Sequence, residues 1–177
     1  MTPSTHIKIA KISLEQIKGR SIYLNEKAFI LGNVVPDFSP YHKIIRHYQE
    51  NSFEYLVRAV SDVVETKELG EKSFKLGIIC HYISDYFCYP HFNNMKFSSK
   101  DIMEHIMYEK DLEIFSKSYR ADLIKEYTVK DLVTLIDNVT QEYSNTMRHK
   151  NDMESALSGV INLIGNISKW KPLVTFA

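Results

Sequence analysis

Two pairs of residues in this chain repeat one spacing: His81 with Asp85, and His105 with Glu109, each four positions apart. On a helix that spacing points both side chains the same way, so each pair can grip one ion or share one proton. Residues 74–88 read FKLGIICHYISDYFC. Apolar side chains there cover nearly the whole circumference of a helix, and such a helix belongs at the centre of a fold. A carboxylate buried in it without a partner is strongly disfavoured, so Asp85 needs a compensating group. Further candidates are His6, Asp37 after Pro36, His42 or His47, and His91 after Pro90.

Spacing alone leaves two readings open: histidine–carboxylate hydrogen bonds inside a core, or ligation of metal. As a donor set, histidine and carboxylate without a cysteine cluster suit Zn2+ in a hydrolytic site better than a thiolate structural site. The candidates also outnumber the ligands of one tetrahedral ion, which implies a multi-metal cluster. Cys80 and Cys88 read as buried free thiols, with Cys88 a bystander in the same stretch.

These side chains need a scaffold, and helical periodicity dominates the chain. It predicts helices over 4–19 (capped by Ser4 or Thr5), 24–33, 51–67, 71–88 and 100–118. Another should follow a Thr128 cap, with Leu132, Val133, Ile136, Val139 and Tyr143 as its stripe, and a last one should cover 152–169. His105 and Glu109 are expected to share a core-facing stripe with Ile102, Ile106 and Leu112. No segment alternates with period two. The expectation is a single all-α domain, residues 1–177, of about seven helices around a buried multi-metal site.

Composition narrows the function classes. Of 177 residues, 44% are hydrophobic, enough for one core. Lys+Arg and Asp+Glu are both 22, and no basic stripe stands out, which makes nucleic acid an unlikely partner. No apolar run approaches the roughly 20 residues of a membrane span. The start, MTPSTHIKIAKISLEQIKGR, has no apolar h-region of a signal peptide, so a cytoplasmic setting is expected.

The motifs resemble those of the bacterial zinc-dependent phospholipase C family. The pattern His-Tyr-x-small-Asp, a proline, a second His ten residues after the first, and an Asn three further on is met by His81, Tyr82, Ser84, Asp85, Pro90, His91 and Asn94. The downstream His-x-x-x-Glu is similar to His105–Glu109, the early Thr-His to Thr5–His6, and the Gly-x-x-x-Pro-Asp loop to Gly32–Pro36–Asp37. Pro90 adjoins His91 where the family has one intervening residue, and the tryptophan that begins mature family members, whose amine and carbonyl complete a third zinc site, has no counterpart in MTPSTH.

The resemblance implies two or three zinc ions. Asp37, a following histidine (His47, with His42 the alternative), His81 and Asp85 would hold one. His91, His105 and Glu109 would hold a second, and His6 with a bridging Asp85 a third. It implies hydrolysis of a phospholipid-like phosphodiester by metal-activated water, with Asp37 and Asp85 nearest the attack and Asp37 able to act as general base. Tyr41, Tyr82, Tyr86 and Tyr89 are candidate substrate-side aromatics, with ordinary packing the alternative. Two other functions stay open: a single-strand nuclease of the related S1/P1 type, and a metal-binding helical module that has lost turnover.

Overall fold

The computed structural model describes residues 1–40, 48–93, 99–143 and 148–170. Among these are nine α-helices and no strand: α1 (Pro3–Ile17), α2 (Glu26–Gly32), α3 (Val35–Phe38), α4 (Gln49–Glu65), α5 (Leu69–Tyr86), α6 (Tyr89–Phe92), α7 (Ser99–Ser118), α8 (Leu132–Glu142) and α9 (His149–Asn166). A 3-10 turn at Ile167–Lys169 follows. The all-α expectation holds. The helices beyond the expected seven are α3 and α6, four-residue turns that each carry a proline in their first two positions, where its missing N–H costs nothing.

Several boundaries differ from the periodicity reading, and capping explains them. α1 starts at Pro3 because the Thr2 hydroxyl accepts from the Thr5 N–H; Ser4 and Thr5 lie inside the helix. It stops at Ile17, just before Gly19 takes φ +83°. α5 begins two residues early because the Glu68 carboxylate accepts from the N–H groups of Gly70 and Glu71. Asp131, not Thr128, caps α8 by accepting from Thr134 N–H at 2.8 Å. Residues 119–131 instead lie outside any helix or strand, and side-chain amides satisfy part of their backbone. Gln16 bonds Asp122 and Ile124, Asn162 bonds Lys125 and Tyr127, and Asn166 bonds Tyr127 and Val129. Trp170 donates to the Val129 carbonyl at 2.8 Å, so it anchors the core's edge.

α5 is the central helix. Every residue from Leu76 to Cys88 is buried, and α5 packs against α1, α2, α4 and α9. Its crossing with α2 is close because both helices present glycine. A Cβ at Gly77 would lie 2.3 Å from the Phe29 carbonyl oxygen, and one at Gly32 would lie 2.1 Å from that of Phe74. This approach carries the C-terminal end of α2, and the Asn33 carbonyl beyond it, onto His81. Tyr82 and Tyr86, two of the aromatics considered for substrate, are core residues; the Tyr86 hydroxyl is 2.8 Å from Ser52 Oγ. Tyr41 lies outside the described residues.

Replacing Gly77 by alanine should destabilise the fold. The helix-propensity gain of at most about 1 kcal/mol is outweighed by backbone displacement costing roughly 1–3 kcal/mol or more. Gly165→Ala is the control, since its Cβ meets nothing closer than Arg20 at 3.9 Å. Urea unfolding should show a lower midpoint for Gly77→Ala and an unchanged or higher one for Gly165→Ala.

Candidate metal centre

Seven of the eight residues expected to hold metal come from five separate helices and meet in one cluster; His47, like its alternative His42, lies outside the described residues. His6 comes from α1, Asp37 from α3, His81 and Asp85 from α5, His91 from α6, and His105 and Glu109 from α7. His6 Nε2 is 3.4 Å from one Asp85 carboxylate oxygen, and His81 Nε2 is 3.4 Å from the other. The His6 and His81 rings stack with centroids 3.9 Å apart. Asp37 lies 3.9 Å from His81 Nε2. In the second group, His91 Nε2 and His105 Nε2 each lie 2.9 Å from Glu109 Oε1 and 3.1 Å from each other.

Two residues missed by the sequence reading join them. The Met1 backbone amine contacts Asp85 Oδ1 and lies 3.0 Å from Glu109 Oε1, so it links the groups. Burial opposes its charge, but Asp85 and Glu109 outweigh that and raise its pKa well above the ordinary value. The second is Cys88, whose Sγ, a His91 ring nitrogen and a Glu109 oxygen all lie within 4.8 Å of one another. No spacing pattern marks either. Met1 enters through a main-chain atom, and Cys88 sits where α5 has already ended.

The cluster has a floor and a mouth. His6, His81 and Asp85 have no exposed side-chain surface, whereas Asp37, His105 and Glu109 keep 17–20%. Ile102 and Ile106 do not line a core stripe beside them as expected. They are 50% and 44% exposed, because α7 buries the face of Tyr108 and Leu112 instead.

Backbone and buried polar groups hold the imidazoles in place. His81 Nδ1 is 2.9 Å from the Asn33 carbonyl oxygen. A carbonyl only accepts, so Nδ1 carries the proton and Nε2 is turned toward Asp37 and Asp85. The second group hangs on Asp152 of α9, which is fully buried. Its carboxylate accepts from Tyr89 N–H at 2.9 Å, Tyr108 O–H at 2.8 Å and Tyr143 O–H at 2.9 Å. Tyr89 opens the turn that carries His91, and Tyr108 precedes Glu109. Burial opposes the Glu109 charge, yet the Met1 amine, His105 and His91 together hold its carboxyl far below the usual range. Burial lowers the pKa of His91. His149 is half-buried, packed on Tyr108 and Phe115.

The residues fit zinc. His6 is fully buried, and neither of its ring nitrogens has a hydrogen-bond partner among the described residues. Two dry, unsatisfied imidazole nitrogens are costly, and ligation of a cation relieves one of them. The 2.9–3.1 Å spacings among His91, His105 and Glu109 approach the roughly 3.4 Å edge of a tetrahedron with bonds of about 2.1 Å. Histidine nitrogens and carboxylate oxygens in this number are donors of a catalytic zinc site rather than of a Mg2+ or Ca2+ site.

The described residues form an all-helical fold that delivers histidines and carboxylates to one half-open cluster, a donor set suited to a divalent metal. The family described as zinc dependent phospholipase C matches residues 5–159, and the chain belongs to that family. No curated protein and no solved structure matches it. No described helix is long and apolar enough to cross a membrane.

Asp152 gives a pH test of the scaffold. Burial raises its carboxyl from 3.8 to about 6 against the three donors. The stability this group contributes is therefore fully present below its unfolded pKa and is lost as pH rises through about 6. Relative to Asp152→Asn, the wild type should gain about 1 kcal/mol between pH 7 and pH 5, read from urea midpoints. A constant difference would show that the tyrosine hydroxyls cancel the effect of burial.

Proposed function

We propose that this protein is a zinc-dependent phosphodiesterase that hydrolyses a phospholipid-like diester, with His6, Asp37, His47, His81, Asp85, His91, His105 and Glu109 as its metal ligands. The observation that carries the reading is the convergence of seven of these side chains, three of them with no exposed side-chain surface, on one space beneath a half-open mouth. Bound zinc would supply Lewis acidity toward the phosphate oxygens and lower the pKa of water.

The chain's own residues do the rest. His81 is held in one tautomer by the Asn33 carbonyl, which keeps its Nε2 available on the floor of the site. Asp85 offers one oxygen toward His6 and the other toward His81, so it can serve two ions. Asp37 stands at the mouth and takes the proton of the attacking water as general base. Beside His91 a cavity of about 440 Å3, lined by Gln49, Glu50, Phe53, Tyr86, Phe92 and Thr140, has room for part of an organic substrate. The buried walls exclude water and strengthen each charge interaction at the phosphate.

Zinc-loaded protein should release diacylglycerol from phosphatidylcholine vesicles or hydrolyse a chromogenic phosphodiester. Failure on both, with metal confirmed bound, would sink the reading; cleavage of single-stranded DNA but not lipid would replace it with a nuclease. Asp85→Asn should lower zinc content, measured by mass spectrometry, and activity by at least about 100-fold, since a lost metal ligand removes the chemistry rather than tuning it. Unchanged zinc content with altered stability alone would make Asp85 a core acceptor.

A further inference from the structure

We infer that Cys88 is a ligand of the ion held by His91 and Glu109, bound through its thiolate. The inference rests on the zinc reading above and adds a donor of a different kind to it. Three observations carry it. The Cys88 sulfur shares the space of a His91 nitrogen and a Glu109 oxygen, all within 4.8 Å of one another. Cys88 has no exposure to water, so its sulfur faces this cluster and the core rather than solvent. Its backbone also caps α6, the four-residue turn that carries His91: the Cys88 carbonyl accepts from the N–H groups of His91 and Phe92 at 2.9 and 2.8 Å. Whatever fixes His91 therefore fixes Cys88 with it. Cys80, equally buried on α5, belongs to no such group among the described residues.

The chemistry follows from the donor. On ligation the S–H bond is exchanged for a sulfur–metal bond, and the proton leaves to solvent. A thiolate beside the His91 imidazole and the Glu109 carboxylate supplies three donors of a tetrahedral zinc site. The softer sulfur also favours zinc, cadmium or cobalt over magnesium and manganese. The ions that His6, Asp37, His81 and a bridging Asp85 would share are those with positions left for water and phosphate.

The experiment loads the full chain with cobalt(II), counts bound ions by native mass spectrometry and records the near-ultraviolet spectrum. An intense thiolate-to-cobalt charge-transfer band is expected in the wild type and in Cys80→Ser, and its loss in Cys88→Ser. Bound cobalt without the band, or a band that survives Cys88→Ser, overturns the assignment and leaves the phosphodiesterase reading standing. A chain that binds neither cobalt nor zinc overturns both. Should Cys88→Ser fail to fold, zinc-edge X-ray absorption of the wild type decides. A sulfur shell at about 2.3 Å supports the thiolate, and a shell of nitrogen and oxygen alone overturns it.

Discussion

A carboxylate with no access to water lies near the middle of this molecule, and much of the surrounding structure answers to it. Asp85 cannot be neutralised by solvent, so the fold brings the Met1 amine and two imidazoles to its oxygens. Asp37 and Glu109 add two more carboxylates within the same cluster. Protein groups alone balance this concentration of acid poorly. A divalent cation balances it well, because each ion brings two positive charges to atoms already turned toward it. Metal binding at the proposed site would therefore be linked to stability, as it is wherever a fold assembles its ligands from distant segments.

Around the proposed ligands lies a second layer that determines their orientation. The Asn33 carbonyl sets the proton on His81, and Asp152 gathers α6, α7 and the end of α8 through two tyrosine hydroxyls and one backbone N–H. The two supports differ in kind. One is a main-chain atom delivered by a helix crossing. The other is a buried charge whose own burial cost is offset by three donors. Each acts on a different half of the cluster, so the halves are held independently while the Met1 amine spans them.

Much of this was legible in the chain. The His81–Asp85 and His105–Glu109 pairs declared themselves because side-chain direction on a helix follows from spacing alone. The all-apolar circumference of residues 74–88 marked α5 as central for the same reason. What stayed hidden depends on atoms that carry no side-chain signature or on contacts made at long range. The Met1 amine and the Asn33 carbonyl are backbone. Asp152 stands near the start of a helix, where an acidic residue is ordinarily a surface partner of the helix dipole; only its three distant donors reveal it as buried. Ile102 and Ile106 share a periodic stripe with the ligands, yet α7 turns its Tyr108–Leu112 face inward, a choice made by the partners α7 meets rather than by its own pattern. The caps at Thr2 and Asp131 were misread because several residues nearby have the right chemistry, and tertiary packing selects among them.

The glycine contact between α2 and α5 has a consequence for how such a site can vary. No substitution at position 33 deletes the carbonyl that orients His81, so the imidazole's tautomer is insulated from drift in the side chain nearest to it. The asparagine amide there is occupied elsewhere, donating to the Phe29 carbonyl at 2.9 Å. The inherited information that protects the proton on His81 resides instead in the absence of two methyl groups, at Gly32 and Gly77. A search for altered chemistry in this protein therefore has freedom at the rim of the cluster and almost none at two positions that stand outside it.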